Sequence, residues 1–228
     1  MGKCALRFFV ALFAALLVFA ALGRSAVAAS GGCTIDQEER SVLTTVLKSM
    51  SEGSRSVLVV ESRTDSSHFA RTFSLGDLLS RDGLSELPSQ LKAAPSGSAV
   101  FVNRPHPIVP EIQQHELEQE YEGKLSQPCR IPAVRNASKL KLFRTPAQVK
   151  EIFSGNDPIK SWGCFHRLFG DDAEVLRFSR VAFDRTKQYA LVHVSSGISE
   201  MGGGGELYLL TRLDGDWVIK RTFSTWAT

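Results

Sequence analysis

The chain has 228 residues, with 27 lysines and arginines against 24 acidic residues. The basic surplus is local: Lys3, Arg7 and Arg24 face no acidic residue within 1–28, and without them basic and acidic residues balance. A neutral remainder lacks the overall basic field of a general nucleic-acid binder, and some two hundred residues suffice for one domain with an ordinary core.

The first residues read as a leader. Lys3 and Arg7 form a basic region, Phe8–Leu22 is an unbroken apolar run, and Ala26-Val27-Ala28 is a small-x-small cleavage site. That is the layout of a secretory signal peptide over 1–28, with a single domain over 34–228. The alternative is an uncleaved membrane anchor, but fifteen helical residues reach only about 22 Å against a hydrocarbon core of about 30 Å. The expectation is therefore a secreted or periplasmic protein. Export would place Cys33, Cys129 and Cys164 in an oxidising compartment, and the expected disulfide is Cys129 with Cys164, because Cys33 lies near a terminus.

Thr34 and Gln37 have the spacing of a capping box, opening a helix to about Met50 with Ile35, Val42, Leu43, Val46, Leu47 and Met50 on one stripe. Val57–Val60 reads as a short strand, Phe73–Leu91 as broken helix, and Ala99–Val102 as a second strand. Pro105, Pro107 and Pro110 mark a stiff extended loop before a polar helix from Glu111 to about Tyr121. Lys139–Phe143 is a candidate edge strand. Thr145-Pro146 and Asp157-Pro158 each supply an N-cap followed by a first-turn proline. The second of these helices carries Ile159, Trp162, Phe165 and Phe169 on one side and ends at Gly170.

Four apolar, β-branched and aromatic runs follow: Val175–Asp184, Gln188–Ser196, Glu206–Leu213 and Asp216–Ser224. Asp214-Gly215 between alternating runs is a strong hairpin signal, since both central positions of a type I′ turn need φ > 0. Short connections allow only antiparallel neighbours. The predicted fold class is α+β, a four-stranded antiparallel meander with helices laid on one of its faces. No internal repeat and no domain-dividing linker interrupts it.

The C-terminal third also resembles a family. Trp162-x-x-Phe165, Phe178-Ser179-Arg180-Val181-x-Phe183-Asp184, Ala190-Leu191-Val192-x-Val194, Gly204-x-x-Leu207-Tyr208-Leu209-Leu210 and Gly215-x-Trp217-x-Ile219 resemble a group of exported bacterial proteins without an assigned activity. Their usual pattern reads SRVGFN, ALVYV, a glycine-rich turn, a Tyr-Leu strand and GKW. Asp184 stands here where that pattern has Asn, and His193 where it has Tyr. The resemblance implies a secreted protein. The order of elements is also similar to the NTF2-like cone fold, which hosts enzymes and binding modules alike.

Candidate chemistry is sparse. His115-Glu116-x-Glu118-x-Glu120 lacks the second histidine four residues on that a zincin helix needs, and reads as a solvated face. Gly202–Gly205 lacks a P-loop lysine and precedes a strand, so it reads as a hairpin tip. No cofactor is implied. His166 lies two residues from Cys164, on a different helical face, which speaks against a nucleophile pair. The remaining enzyme idea gathers His193, Asp184, Glu206 and Tyr208 in one pocket, with histidine as general base. Between Gly123 and Lys150 lie seven basic residues and no acidic ones. Of these Arg130, Arg135, Lys139, Lys141 and Arg144 are candidates for an anionic envelope surface, or for neutralising the preceding acidic helix. Asn136-Ala137-Ser138 is a glycosylation sequon. The expected function is a non-enzymatic binding domain for an envelope or cell-surface component; the alternative is a small NTF2-like enzyme centred on His193.

Overall fold

The computed structural model describes residues 33–52, 56–64, 79, 108–132 and 141–228, with main chain only at 141–143. The leader, the helix expected over Phe73–Leu91 apart from Leu79, the strand Ala99–Val102 and the sequon lie outside these residues.

The first helix, α1 (Gln37–Ser51), is capped by Asp36, whose carboxylate accepts the Glu39 N–H at 2.8 Å. The cap is thus two residues later than the Thr34–Gln37 box. Thr34 is drawn off into a parallel bridge with Arg130, where the Ile35 N–H donates to the Arg130 carbonyl. Val42, Leu43, Val46 and Leu47 form the buried stripe. Strand β1 (Leu58–Glu61) follows, then α2 (Glu111–Leu125), β2 (Lys141–Arg144), α3 (Pro146–Ile152) and α4 (Pro158–Phe169). Thr145 makes a complete capping box with Gln148, and Asp157 caps α4, both as their Thr-Pro and Asp-Pro pairs predict.

The C-terminal strands are β3 (Glu174–Phe178), β4 (Ala182–Phe183), β5 (Tyr189–Gly197), β6 (Gly203–Leu213) and β7 (Asp216–Ala227). Strands β3, β5, β6 and β7 form the expected antiparallel meander, and Asp214 and Gly215 both have positive φ, 51° and 92°. Two corrections apply. The sheet is mixed: β1 runs parallel to both β2 and β3, giving the order β2-β1-β3-β5-β6-β7 with β4 beside β5. The glycine run is also mostly strand, because Gly203–Gly205 pair with Gly197, Ser196 and Ser195. A Cβ on Gly203 would come within 2.7 Å of the Ser196 carbonyl, and one on Gly205 would overlap the Trp226 indole. Glycine is needed there for close approach rather than for a turn.

Both sheet faces are covered, which corrects the expected one-sided packing. Leu58, Val60, Leu176, Phe178, Val192, Val194, Tyr208 and Leu210 share a core with the α1 stripe. Alternate residues point the other way. There Leu191, Leu207, Leu209 and Phe223 pack with Leu117 and Tyr121 of α2, while Val59 and Val175 pack with α3 and α4. Strands that are apolar on both faces suit a sheet buried on both sides. The α4 aromatics, Trp162, Phe165 and Phe169, stack in series against the β1–β3 half of that second face rather than against the meander's centre.

Strand β7 carries two extra residues relative to β6. Register shifts between Gly205 and Glu206 and between Leu209 and Leu210 leave Thr225 and Lys220 without partners across the ladder.

Candidate functional site

The four residues expected in one pocket do not meet. Val194 pairs with Glu206 and His193 with Leu207, so His193 lies on the α2 side of the sheet and Glu206 and Tyr208 on the α1 side. A single sheet layer separates the histidine from those two groups. His193 is fully buried; its Nε2 and the Thr225 hydroxyl are 2.8 Å apart, and its main-chain N–H donates to Ser179 Oγ at 2.9 Å. Burial holds its pKa down at about 4. Asp184 is a turn anchor: its carboxylate accepts the N–H of Thr186 at 3.2 Å and of Tyr189 at 2.7 Å, and the Thr186 hydroxyl.

Glu206 and Tyr208 do come together, two residues apart on one face of β6, and the phenol donates to the carboxylate. Burial, then the adjacent carboxylate, pushes the phenol's pKa up. The structure adds Glu174, at the start of β3, whose carboxyl is pushed up by burial and by the charge of Glu206. Nothing in the sequence placed Glu174 beside this pair, because the link runs across two strands.

The cysteine pairing differs from the expectation: Cys129 is bonded to Cys33, 96 residues away, and not to Cys164, which is also disulfide-bonded. Main-chain bonds clamp the same place, with the Arg130 N–H donating to the Cys33 carbonyl at 2.8 Å and the Ile131 N–H to the Ser62 carbonyl at 2.8 Å. The segment before α1 is therefore tied into the fold by main-chain bonds as well as by the disulfide, which the sequence does not show.

Charged residues from the acidic and basic blocks meet partly. Glu39 of α1 is fully buried, and its Oε1 accepts from Arg180 Nε at 2.9 Å and from Lys124 Nζ at 3.3 Å. Lys124 also pairs with Glu120 at 2.7 Å and lies over the Phe183 ring. Arg144 sits over Phe169, and Arg130 is exposed; Arg135 and Lys139 lie outside the described residues, as does the Lys141 side chain. Among the described residues no group of three His, Cys, Asp or Glu could hold a metal ion. His115 and Glu116 instead line an open depression of about 450 Å³ with Glu111, Ile112, Gln119 and Arg185.

The sequence reading missed an apolar patch. Ile159 is 68 %, Ile198 47 % and Met201 79 % exposed. Ile159 and His166 lie on one line of α4, two turns apart, with half-buried Trp162 beside them. The β5–β6 connection joins this face: His166 Nε2 is 3.0 Å from the Ile198 carbonyl, and a Cβ on Gly197 would touch the Trp162 ring at 3.3 Å. Trp162 packs edge-on against Phe153 and Phe165, which fixes its orientation. The available signal was Ile198 and Met201 in a hairpin tip, where polar residues are the rule.

Fold and site together define an α+β domain with a mixed sheet, a disulfide-anchored N-terminal segment and an exposed apolar patch. Comparison with family models, curated proteins and solved structures gave no match. Among the described residues no helix is long and apolar enough to cross a membrane.

Proposed function

We propose that the chain is an exported, non-enzymatic binding domain that engages the apolar surface of an envelope or cell-surface component. The observation that carries this reading is the patch of Ile159, Ile198 and Met201 flanked by Trp162. Large apolar side chains exposed on two elements that meet at a fixed Trp162 suit recognition, whereas scattered ones need no explanation. Export is supported by the leader pattern, by the Cys33–Cys129 disulfide and by the likeness of the C-terminal pattern to exported proteins.

The test is photo-crosslinking in the exporting cell, with a photoreactive residue at 159 or 201 and a control at Leu213, which is 59 % exposed at the other end of β6. A discrete adduct from 159 and 201, absent at 213 and abolished by the partner substitution Met201→Asp or Ile159→Asp, is expected. Equal labelling at all three positions, or labelling at 213 alone, would remove the proposal.

A second reading, a small enzyme of the NTF2-like type, is supported by the Glu206–Tyr208 hydrogen bond beside Glu174. The Glu174 carboxyl and the Tyr208 phenol are both pushed up, by burial first, so each holds its proton more tightly, as a general acid needs. Glu206→Gln should then bring the Glu174 titration, followed by NMR, back toward the ordinary carboxyl range. A titration that does not move would rule out this pair.

A further inference from the structure

The geometry points to the Cys33–Cys129 disulfide as a thiol-exchange site, with Cys33 the sulfur that external thiols attack. Two observations converge. The two ends of the bridge differ in access: Cys33 is exposed, whereas Cys129 is fully buried. A thiolate must approach along the S–S axis, so only the Cys33 sulfur is open to it. The Arg180 guanidinium also stands at that sulfur, with Nη1 3.6 Å from Cys33 Sγ. In the transition state negative charge spreads over three sulfurs, and the central one would be Cys33, beside a fixed cation.

That cation is held in place. Arg180 Nε is bound at 2.9 Å to the buried Glu39, which also takes Lys124. Three residues along the chain Asp36 caps α1, and the Arg130 main chain, which donates its N–H to the Cys33 carbonyl, is bridged to that of Arg63. The charged group in contact with the Cys33 sulfur is therefore Arg180, itself paired with the buried Glu39.

The exchange balances with a dithiol as reductant. One thiolate of the dithiol attacks Cys33 Sγ, forming a mixed disulfide and breaking the bond to Cys129, which leaves with the electron pair and takes a proton. The second thiol of the reductant, deprotonated, attacks its own partner sulfur and expels Cys33 as a thiolate. The dithiol is oxidised to its disulfide and both protein cysteines are reduced. Arg180 assists both steps, first at the central sulfur and then at the leaving one. Opening the bridge frees the segment that precedes α1 from its covalent tie to the segment after α2.

Folded protein exposed to reduced glutathione, acid-quenched and peptide-mapped, should carry the adduct on Cys33 in at least tenfold excess over Cys129. In a Cys129→Ser chain, the rate of alkylation of Cys33 by iodoacetamide should show a midpoint below the ordinary thiol value of about 8.5. Arg180→Lys in that chain keeps a cation for Glu39 but withdraws the fork from sulfur, and should raise the midpoint. An adduct on Cys129, an even distribution, no adduct while the fold persists, or a midpoint at or above the ordinary value would each overturn the assignment. Circular dichroism of each variant separates these outcomes from unfolding.

Discussion

Replacing Glu39 tests how the buried charges hold α1 to the sheet. Its carboxylate is fully buried, and one oxygen serves both Arg180 at 2.9 Å and Lys124 at 3.3 Å, whose side chains are only 13 % and 21 % exposed. Removing one member of such a group leaves the other charges uncompensated, which costs about 3–5 kcal/mol. In Glu39→Gln the amide oxygen still accepts one hydrogen bond and Lys124 keeps Glu120, so the lower end, about 3 kcal/mol, is expected. With a urea slope of about 2 kcal/mol/M, the midpoint falls by roughly 1.5 M. Replacing all three charges by methionine should restore most of the loss, because no buried charge is then left alone. Lys48→Gln, breaking the exposed Lys48–Glu52 pair, should leave the midpoint where it is. A Glu39→Gln shift under about 0.3 M, or a triple variant as unstable as the single one, would refute the reasoning.

Three further outcomes are expected. His193 titrates at about 4 in the fold against 6.5 unfolded, so between these values the unfolded chain binds more protons and stability falls as pH falls. Between pH 7 and 5 the His193 contribution to that loss is about 2 kcal/mol, and His193→Gln should remove it from the pH dependence of urea unfolding. The Glu174 carboxyl is raised, so its ionisation opposes folding; Glu174→Gln should increase the melting temperature at neutral pH, with the advantage vanishing in acid. Gly205→Ala places a methyl group in the Trp226 ring and against Thr225, and should destabilise the fold by about 1–3 kcal/mol in calorimetry while disturbing the His193–Thr225 contact.

Local signals were legible and long-range ones were not. Thr145-Pro146, Asp157-Pro158 and Asp214-Gly215 carry their geometry in adjacent residues, and each appears as expected. The cap of α1 shifted because Thr34, a good cap by type, is claimed by Arg130 from a distant segment. The same distance hid the parallel pairing of β1 with β3 and the partner of Cys129. Period-two alternation put His193 and Tyr208 on faces of their own strands, but only register relates those faces, and register set them apart. Glu39 was readable in part: a glutamate four residues before Leu43 on an otherwise apolar stripe announces a buried charge with a partner to be found.

The two extra residues of β7 have a consequence at the rim of the sheet. Among the described residues the twelve-residue β7 pairs on one side only, and such an outer strand would ordinarily invite a second chain to align alongside it. Lys220 and Thr225 break its repeat near the middle and near the end, and Lys220 adds a cation tied to the Ile108 carbonyl at 2.7 Å. Between these breaks no paired run on this edge is longer than four residues, so a neighbouring chain finds no long regular ladder to extend along β7.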